Sequence, residues 1–225
     1  MKKLWTGFSD RRSFLKSAGI FCALAALHAL PPDLQAAPRL SGKMMIVYFS
    51  MPETDRAGNM TKEEENSTVV VDGKVLGNTQ YVALLIQNHT GADIFRLETV
   101  MPYMTKHKQL VDYAKREQRN NARPALKAMP DLDAYDIVFL GYPNWWSDMP
   151  MPLYTFLEAA DLSGKTIIPF NTHGGSRFSK TISTIARLQP RAAVVRDGYT
   201  VSRSEMESCA EDVPAWLRRL GMAIR

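Results

Sequence analysis

Three short segments of this chain combine glycines with hydrogen-bond donors, flat rings and one titratable group, which are the ingredients of a ligand site. The first is Ser50 taken together with Gly77-Asn78-Thr79. Glycine permits close approach to the backbone, Asn and Thr offer side-chain donors, and a helix opening here would turn free N–H groups toward an anion. No lysine stands beside this glycine as in a Walker loop, so the pattern suits a monophosphate held by neutral donors rather than a triphosphate with magnesium. Gly58-Asn59-Met60-Thr61 has a similar composition. It is followed, however, by Lys62-Glu63-Glu64-Glu65 and by an Asp72-Gly73 pair between apolar runs, which signals a hairpin and not an amphipathic helix. The second Gly-Asn pair is therefore the better candidate.

The second segment is Gly141-Tyr142-Pro143-Asn144-Trp145-Trp146-Ser147-Asp148-Met149-Pro150. Adjacent tryptophans in a proline-bounded loop suit a flat aromatic ligand, although both rings could instead anchor the core at a sheet edge. The third is Asn171-Thr172-His173-Gly174-Gly175-Ser176. Its double glycine brings backbone N–H groups against a ligand, and His173 adds a donor that titrates near neutral pH, which makes it the candidate catalytic residue. The ordinary alternative is a satisfied loop histidine.

These segments need strands to hold them. Continuous or alternating apolar runs predict strands at residues 44–49, 93–98, 136–141, 165–170 and 191–195. Helical spacing marks residues 79–89, 106–120, 151–160, 178–188 and 205–220. Alternation of five strands with five helices predicts an α/β fold: a parallel sheet sandwiched between two helical layers, with ligands at the carboxyl ends of the strands. The three segments follow the first, third and fourth strands.

The 225 residues hold thirteen Gly and thirteen Pro and 45% hydrophobic side chains, the balance of one globular domain rather than a repeat array or a disordered chain. Residues 1–36 read as an export signal. Lys2, Lys3, Arg11, Arg12 and Lys16 precede an apolar stretch from Ala18 to Leu30, short for a membrane span, and Ala36 offers a cleavage point before Ala37. Residues 37–42 form a linker to the domain at 43–225. Residues 1–36 carry five of the 28 basic and two of the 23 acidic side chains, so their removal lowers the formal charge from +5 to +2. That small excess argues against a nucleic-acid partner. Cys209 is then the one cysteine left, and its acidic surroundings mark it as structural. His89, His107 and His173 show no metal-ligand spacing with one another or with Cys209, so no metal is expected. Lys115, Arg116, Arg119 and Arg123 read as a solvated helix face, and the Met-Pro-Met-Pro run at 149–152 as a helix start.

Taken together, Ser50, Gly77-Asn78-Thr79, the Gly-Tyr-Pro-Asn-Trp-Trp loop and the Thr-His-Gly-Gly-Ser loop resemble the flavodoxin superfamily over about residues 43–222. The resemblance implies a flavodoxin-like sheet of order 2-1-3-4-5 and non-covalent FMN. It also implies that Ser50, Gly77, Asn78 and Thr79 cradle the phosphate, that Pro143, Asn144, Trp145 and Trp146 flank ribityl and ring, and that Thr172, His173, Gly174 and Gly175 line the pyrimidine side. The departure is an insertion at residues 51–76, which leaves the contacts of Met51, Pro52 and Glu53 open; it is either a lid or a solvated hairpin. The segment Asp10-Arg11-Arg12-Ser13-Phe14-Leu15-Lys16 resembles the twin-arginine export signal, except that Asp10 stands where Ser or Thr is usual. A periplasmic location follows from that resemblance. Outside the cytoplasm a nicotinamide donor is not expected, so a membrane quinone or other small acceptor, or a redox partner protein, is the expected counterpart; membrane contact is limited to export, and a homodimer is compatible with the chain. Three functions are consistent with this: an FMN oxidoreductase, an electron-transfer module without its own substrate, and a flavodoxin-like binding scaffold without redox turnover. The near-neutral charge, with His173 and Arg177 beside the ring, favours the first.

Overall fold

The computed structural model describes residues 40–225; residues 1–36, expected from the sequence to be an export signal, and residues 37–39 of the expected linker lie outside the described residues. The central strand β1 spans Met44–Tyr48. An excursion follows, made of helix α1 (Lys62–Ser67) and the hairpin of β2 (Thr68–Val71) and β3 (Lys74–Gly77). The main chain of alternation then resumes with α2 (Asn78–Thr90), β4 (Asp93–Arg96), α3 (His107–Arg119), β5 (Ile137–Pro143), α4 (Met151–Ala159) and β6 (Thr166–His173). It ends with α5 (Thr181–Leu188), β7 (Ala193–Val194), β8 (Tyr199–Ser202), a 3-10 turn at Met206–Ser208 and α6 (Cys209–Arg219). Among the described residues no helix is long and apolar enough to cross a membrane.

The main sheet has six strands, all paired in parallel, in the order β4-β1-β5-β6-β7, with β8 also on β6. Successive residues of a strand point to opposite faces, so a sheet covered on both sides needs apolar residues at every position. In β1, Met45 and Val47 join the core under α3, α4 and α5, while Ile46 and Tyr48 join the core under α2 and α6. The same division runs through Val138, Leu140 and Tyr142 against Ile137 and Phe139 of β5. Gly141 in β5 faces the Phe170 ring so closely that a Cβ there would collide with it.

Three differences from the sequence expectation matter for the site. The strands expected to end at residues 141 and 170 run on, with Tyr142 opposite Asn171 and Pro143 opposite Thr172, so Pro143, Thr172 and His173 are strand residues rather than loop residues. The extension is stabilised because β8 pairs with this part of β6, from Phe170↔Tyr199 to His173↔Ser202. Secondly, the expected fifth strand at 191–195 survives only as Ala193–Val194, and β8 carries the longer pairing. The reason is burial: Tyr199 and Val201 are covered by α6, whereas Ala193 is exposed. Thirdly, the excursion holds the expected hairpin, with Asp72 (φ 50°) and Gly73 (φ 75°) as its two-residue turn, but also α1, which the acidic run did not suggest. That helix starts on a reciprocal cap. Thr61 Oγ1 accepts from the Glu64 N–H at 3.3 Å, and Glu64 Oε2 accepts from the Thr61 N–H at 2.7 Å.

Candidate functional site

Ser50 lies two residues beyond the end of β1 at Tyr48, and α2 begins beyond Gly77, which has no side chain with which to cap it. Ser50 takes that role from outside the helix. Its Oγ accepts the Gln80 N–H at 3.3 Å, and a Cβ on Gly77 would run into that oxygen. The arrangement leaves the N–H groups of Asn78 and Thr79 at the helix mouth, where no carbonyl of their own helix can reach them. Thr79 Oγ1 is 2.9 Å from Thr172 Oγ1, both buried, so the start of α2 is fastened to the end of β6. Asn78 Nδ2 donates to the Asn66 carbonyl at 2.8 Å, while its Oδ1 is buried without a partner.

One cavity runs from this helix mouth along the carboxyl ends of the strands, where a parallel sheet places its ligands. Of the expected site residues, Ser50, Asn78, Thr79, Pro143, Asn144, Trp145, Trp146, Thr172, His173 and Gly174 line it. Gly77 stands behind Ser50, outside the lining, and Gly175 also lies outside it.

At the far end, Trp145 packs edge-on against Phe49 and Tyr103, with ring centroids 5.6 Å away from each. Trp146 is 47% exposed. Its Nε1 donates to the Val111 carbonyl at 3.2 Å, and Lys115 Nζ lies 4.6 Å from its ring centroid. Trp146 (φ 55°) and Ser147 (φ 60°) form a two-residue turn closed by Trp145 and Asp148, in a conformation that Asn-Gly adopts without strain. The tryptophans are thus neither buried together under the sheet nor free: one leans on the core and the other on α3.

The loop after β6 is held by two asparagines. Asn144 Nδ2 and Asn171 Nδ2 both donate to the Arg177 carbonyl, at 2.7 and 2.8 Å. Asn144 Oδ1 is buried without a partner, the second such acceptor on the cavity lining. His173 Nδ1 accepts the Gly175 N–H at 2.8 Å, which fixes that nitrogen as unprotonated. Burial holds the His173 pKa below the usual 6.5, assisted by Arg177 and opposed by Glu205. The fold therefore favours the neutral imidazole at this position, with Nδ1 as an acceptor. Arg177 does not line the cavity; the arginine that does is Arg203, whose N–H donates to the His173 carbonyl at 2.8 Å.

Of the residues whose contacts the sequence left open, Met51 and Glu53 line the cavity and Pro52 does not. Sequence reasoning missed Glu63, Asn66 and Ser67 of the excursion, and His107, Leu110, Val111 and Ala114 from the first turns of α3. The α3 positions recur at helical spacing, but nothing local to them says that this face meets the cavity rather than the core. Arg203 carries no signal because β8 was not foreseen.

The residues fit FMN. The helix mouth offers N–H groups to a phosphate, the two orphaned carboxamide oxygens await hydroxyl or imide donors, and the tryptophans supply a wall for a ring. A family model described as flavodoxin matches residues 67–220. No curated protein matches the chain. Among solved structures, a candidate flavoprotein from Bacteroides eggerthii is 24% identical and superposes with a TM-score of 0.58, covering 80% of this chain and 98% of its own. A second candidate flavoprotein, from Bacteroides uniformis, is 22% identical with a TM-score of 0.57, covering 78% and 99%. A flavoprotein from Lactobacillus acidophilus, solved in complex with FMN, is 18% identical with a TM-score of 0.53, covering 76% and 100%.

Proposed function

Because this chain belongs to the flavodoxin family, we propose that it binds FMN without a covalent link and works as an exported oxidoreductase that passes electrons to or from a quinone or other small acceptor. The observation that carries the reading is the pair of buried, unpartnered acceptors, Asn78 Oδ1 and Asn144 Oδ1, on one cavity that begins at the mouth of α2. Ser50 and the backbone N–H groups of Asn78 and Thr79 would hold the phosphate, with Asn78 Oδ1 facing a ribityl hydroxyl; Pro143, Asn144, Trp145 and Trp146 would hold the ribityl chain and ring, and Thr172, His173 and Gly174 the pyrimidine side, with Gly77 and Gly175 supporting from behind. Bound FMN supplies reversible one- and two-electron redox chemistry. What the chain contributes is position, exclusion of water and local charge.

Two observations favour an oxidoreductase over a very low-potential shuttle. The chain beyond residue 36 is nearly neutral, and Arg203 lies on the cavity wall. A redox titration of the holoprotein tests this: closely spaced couples support the reading, and a well-separated, very negative second couple removes it. The visible spectrum of the purified protein is the prior test. A yellow protein that releases FMN on denaturation is expected, and a colourless protein that refuses added FMN would select the scaffold reading instead.

A non-enzymatic electron-transfer module is the second reading, favoured by the exposed edge of Trp146 beside Lys115, which would suit a protein partner. Reoxidation of the reduced holoprotein by benzoquinone at a rate saturating with quinone separates the two. Export by the twin-arginine route rests on Arg11-Arg12 and the apolar stretch behind them. Replacement of both arginines by lysine is expected to strand the protein in the cytoplasm, read by fractionation.

A further inference from the structure

The anchor and the two loops leave one polar pair on the cavity wall unexplained. Glu53 comes from the excursion after β1, and His107 is the first residue of α3. Both carboxylate oxygens of Glu53 lie 3.0 Å from His107 Nδ1. Glu53 is 9% exposed, and its backbone N–H donates to Ser67 Oγ at 3.0 Å, so its main chain is tied to the end of α1 while its carboxylate meets His107. Burying a carboxylate is costly, and an apolar residue would close the same contact more cheaply. A carboxylate on Nδ1 does something an apolar residue cannot: it sets the tautomer and the ring plane. The opposite nitrogen, Nε2, has no protein partner among the described residues. His107 is 46% exposed, so its ring borders both cavity and solvent. The same wall continues as Leu110, Val111 and Ala114 and as the tryptophans, an apolar surface suited to an uncharged, flat molecule.

We propose that His107 is a catalytic proton donor to a neutral carbonyl acceptor of the quinone class, with Glu53 as its positioning residue. The proposal rests on the FMN reading above and specifies the acceptor and its proton source. The step balances as follows. Bound FMN, when reduced, would supply the hydride equivalent, and His107 would supply the proton from a ring protonated at both nitrogens. The N–H bond at Nε2 would break as an O–H bond forms on the acceptor oxygen, leaving a neutral imidazole whose Nδ1 proton stays on Glu53 and whose Nε2 regains a proton from solvent across its exposed edge. An acceptor that takes one electron and no proton has no use for the pair. The charged groups facing it are Glu63 and Glu64 of α1, and Lys106 and Lys108 flank His107 in the chain.

The test uses yellow holoprotein, reduced under anaerobic conditions and mixed with benzoquinone or with ferricyanide. His107→Gln is expected to slow reoxidation by benzoquinone about 100-fold and to abolish its fall at alkaline pH, while ferricyanide slows by less than about 3-fold. Glu53→Gln is expected to slow benzoquinone by an intermediate factor. In the apoprotein, where no turnover is involved, the 15N shifts of the neutral His107 ring are expected to report a proton fixed on Nδ1 in wild type and a mixture of tautomers in Glu53→Gln. A yellow His107→Gln protein that reacts with benzoquinone at the wild-type rate at every pH overturns the proposal, as does equal slowing with both acceptors. Unchanged tautomer populations in Glu53→Gln overturn the positioning role. Failure of the FMN reading is visible before mixing, as a wild-type protein that retains no flavin.

Discussion

At the α2 end of the cavity each group is held by bonds from two directions, with Ser50 capping the helix, Thr79 tied to Thr172 and Asn78 tied to Asn66. No residue there has a positive φ, and Gly77 itself is at −68°. At the ring end the backbone passes through Trp146, Ser147, Gly175, Arg177 and Ser179, all at positive φ. Non-glycine residues in such conformations cost of order 1–3 kcal/mol each and persist where surrounding bonds over-determine them, here the two asparagines on the Arg177 carbonyl. The anchor is built for tightness and the ring end for placement. On the FMN reading proposed above, the cofactor would gain affinity at the first and have its chemistry adjusted at the second, and the two sets of residues should respond differently to substitution.

The largest effect is expected at the anchor. Gly77→Ala drives a Cβ against Ser50 Oγ and to 3.1 Å from Pro52 Cδ, so overpacking of about 2 kcal/mol should weaken FMN binding roughly 30-fold. A fluorescence titration that finds the wild-type constant would dissolve the contrast between the ends. Next comes charge behind the anchor. Arg96 Nη2 donates to the Ser50 carbonyl at 3.0 Å, and its Nε is buried without a partner, so a cation backs a cradle made of neutral donors. Arg96→Gln should weaken FMN about 10-fold, a loss near 1.4 kcal/mol, and change riboflavin, which lacks the phosphate, by less than about 2-fold. Equal loss for both ligands would show that Arg96 merely supports the fold.

Smaller effects belong to the ring end. Ser147→Gly removes strain from the turn beside Trp146 and should raise unfolding stability by about 1 kcal/mol in urea, with FMN affinity nearly constant. The smallest is a pH effect at His173. Its folded-state pKa lies below the unfolded value near 6.5, so the neutral form is the one the fold prefers. The stability it contributes is complete above pH 6.5 and is lost as pH falls through the lowered value. Wild type should therefore lose ground to His173→Gln on acidification below pH 6.5, measured by urea midpoints; the reverse trend would mean that the imidazole is charged in the fold.

How much of this was legible beforehand follows from where the signals are local. The apolar runs at 44–49 and 136–141 announce central strands because both sheet faces are covered, and Asp72-Gly73 announces its hairpin through a turn that few other pairs can make. The loops with Gly-Asn-Thr, Trp-Trp and His-Gly-Gly were readable for the same reason: glycine and tryptophan carry their constraints with them. Strand β8 was not, because Tyr199-Thr200-Val201 becomes a strand only through burial against α6 and pairing with β6. His107 was invisible as a partner of Glu53, since 54 positions separate them and only the folded excursion brings the carboxylate to the start of α3. The acceptor role of His173 Nδ1 was not readable either, because it is set by a contact two residues away, the Gly175 N–H.

The meeting of Ser50 with Gly77 has one more consequence, for the order in which the molecule assembles. A phosphate cradle formed from a contiguous loop closes as its strand and helix dock, whereas the one proposed here would be two half-sites separated by residues 51–76. Closing a span of that length instead of about six residues costs roughly two doublings of loop size, about 1.2 kcal/mol of chain entropy. The hairpin repays part of it by bringing its own ends together, and a ligand bridging both half-sites recovers the rest. Riboflavin phosphate would then be a late participant in folding as well as a reagent, and refolding of the crest should quicken or complete only when it is supplied.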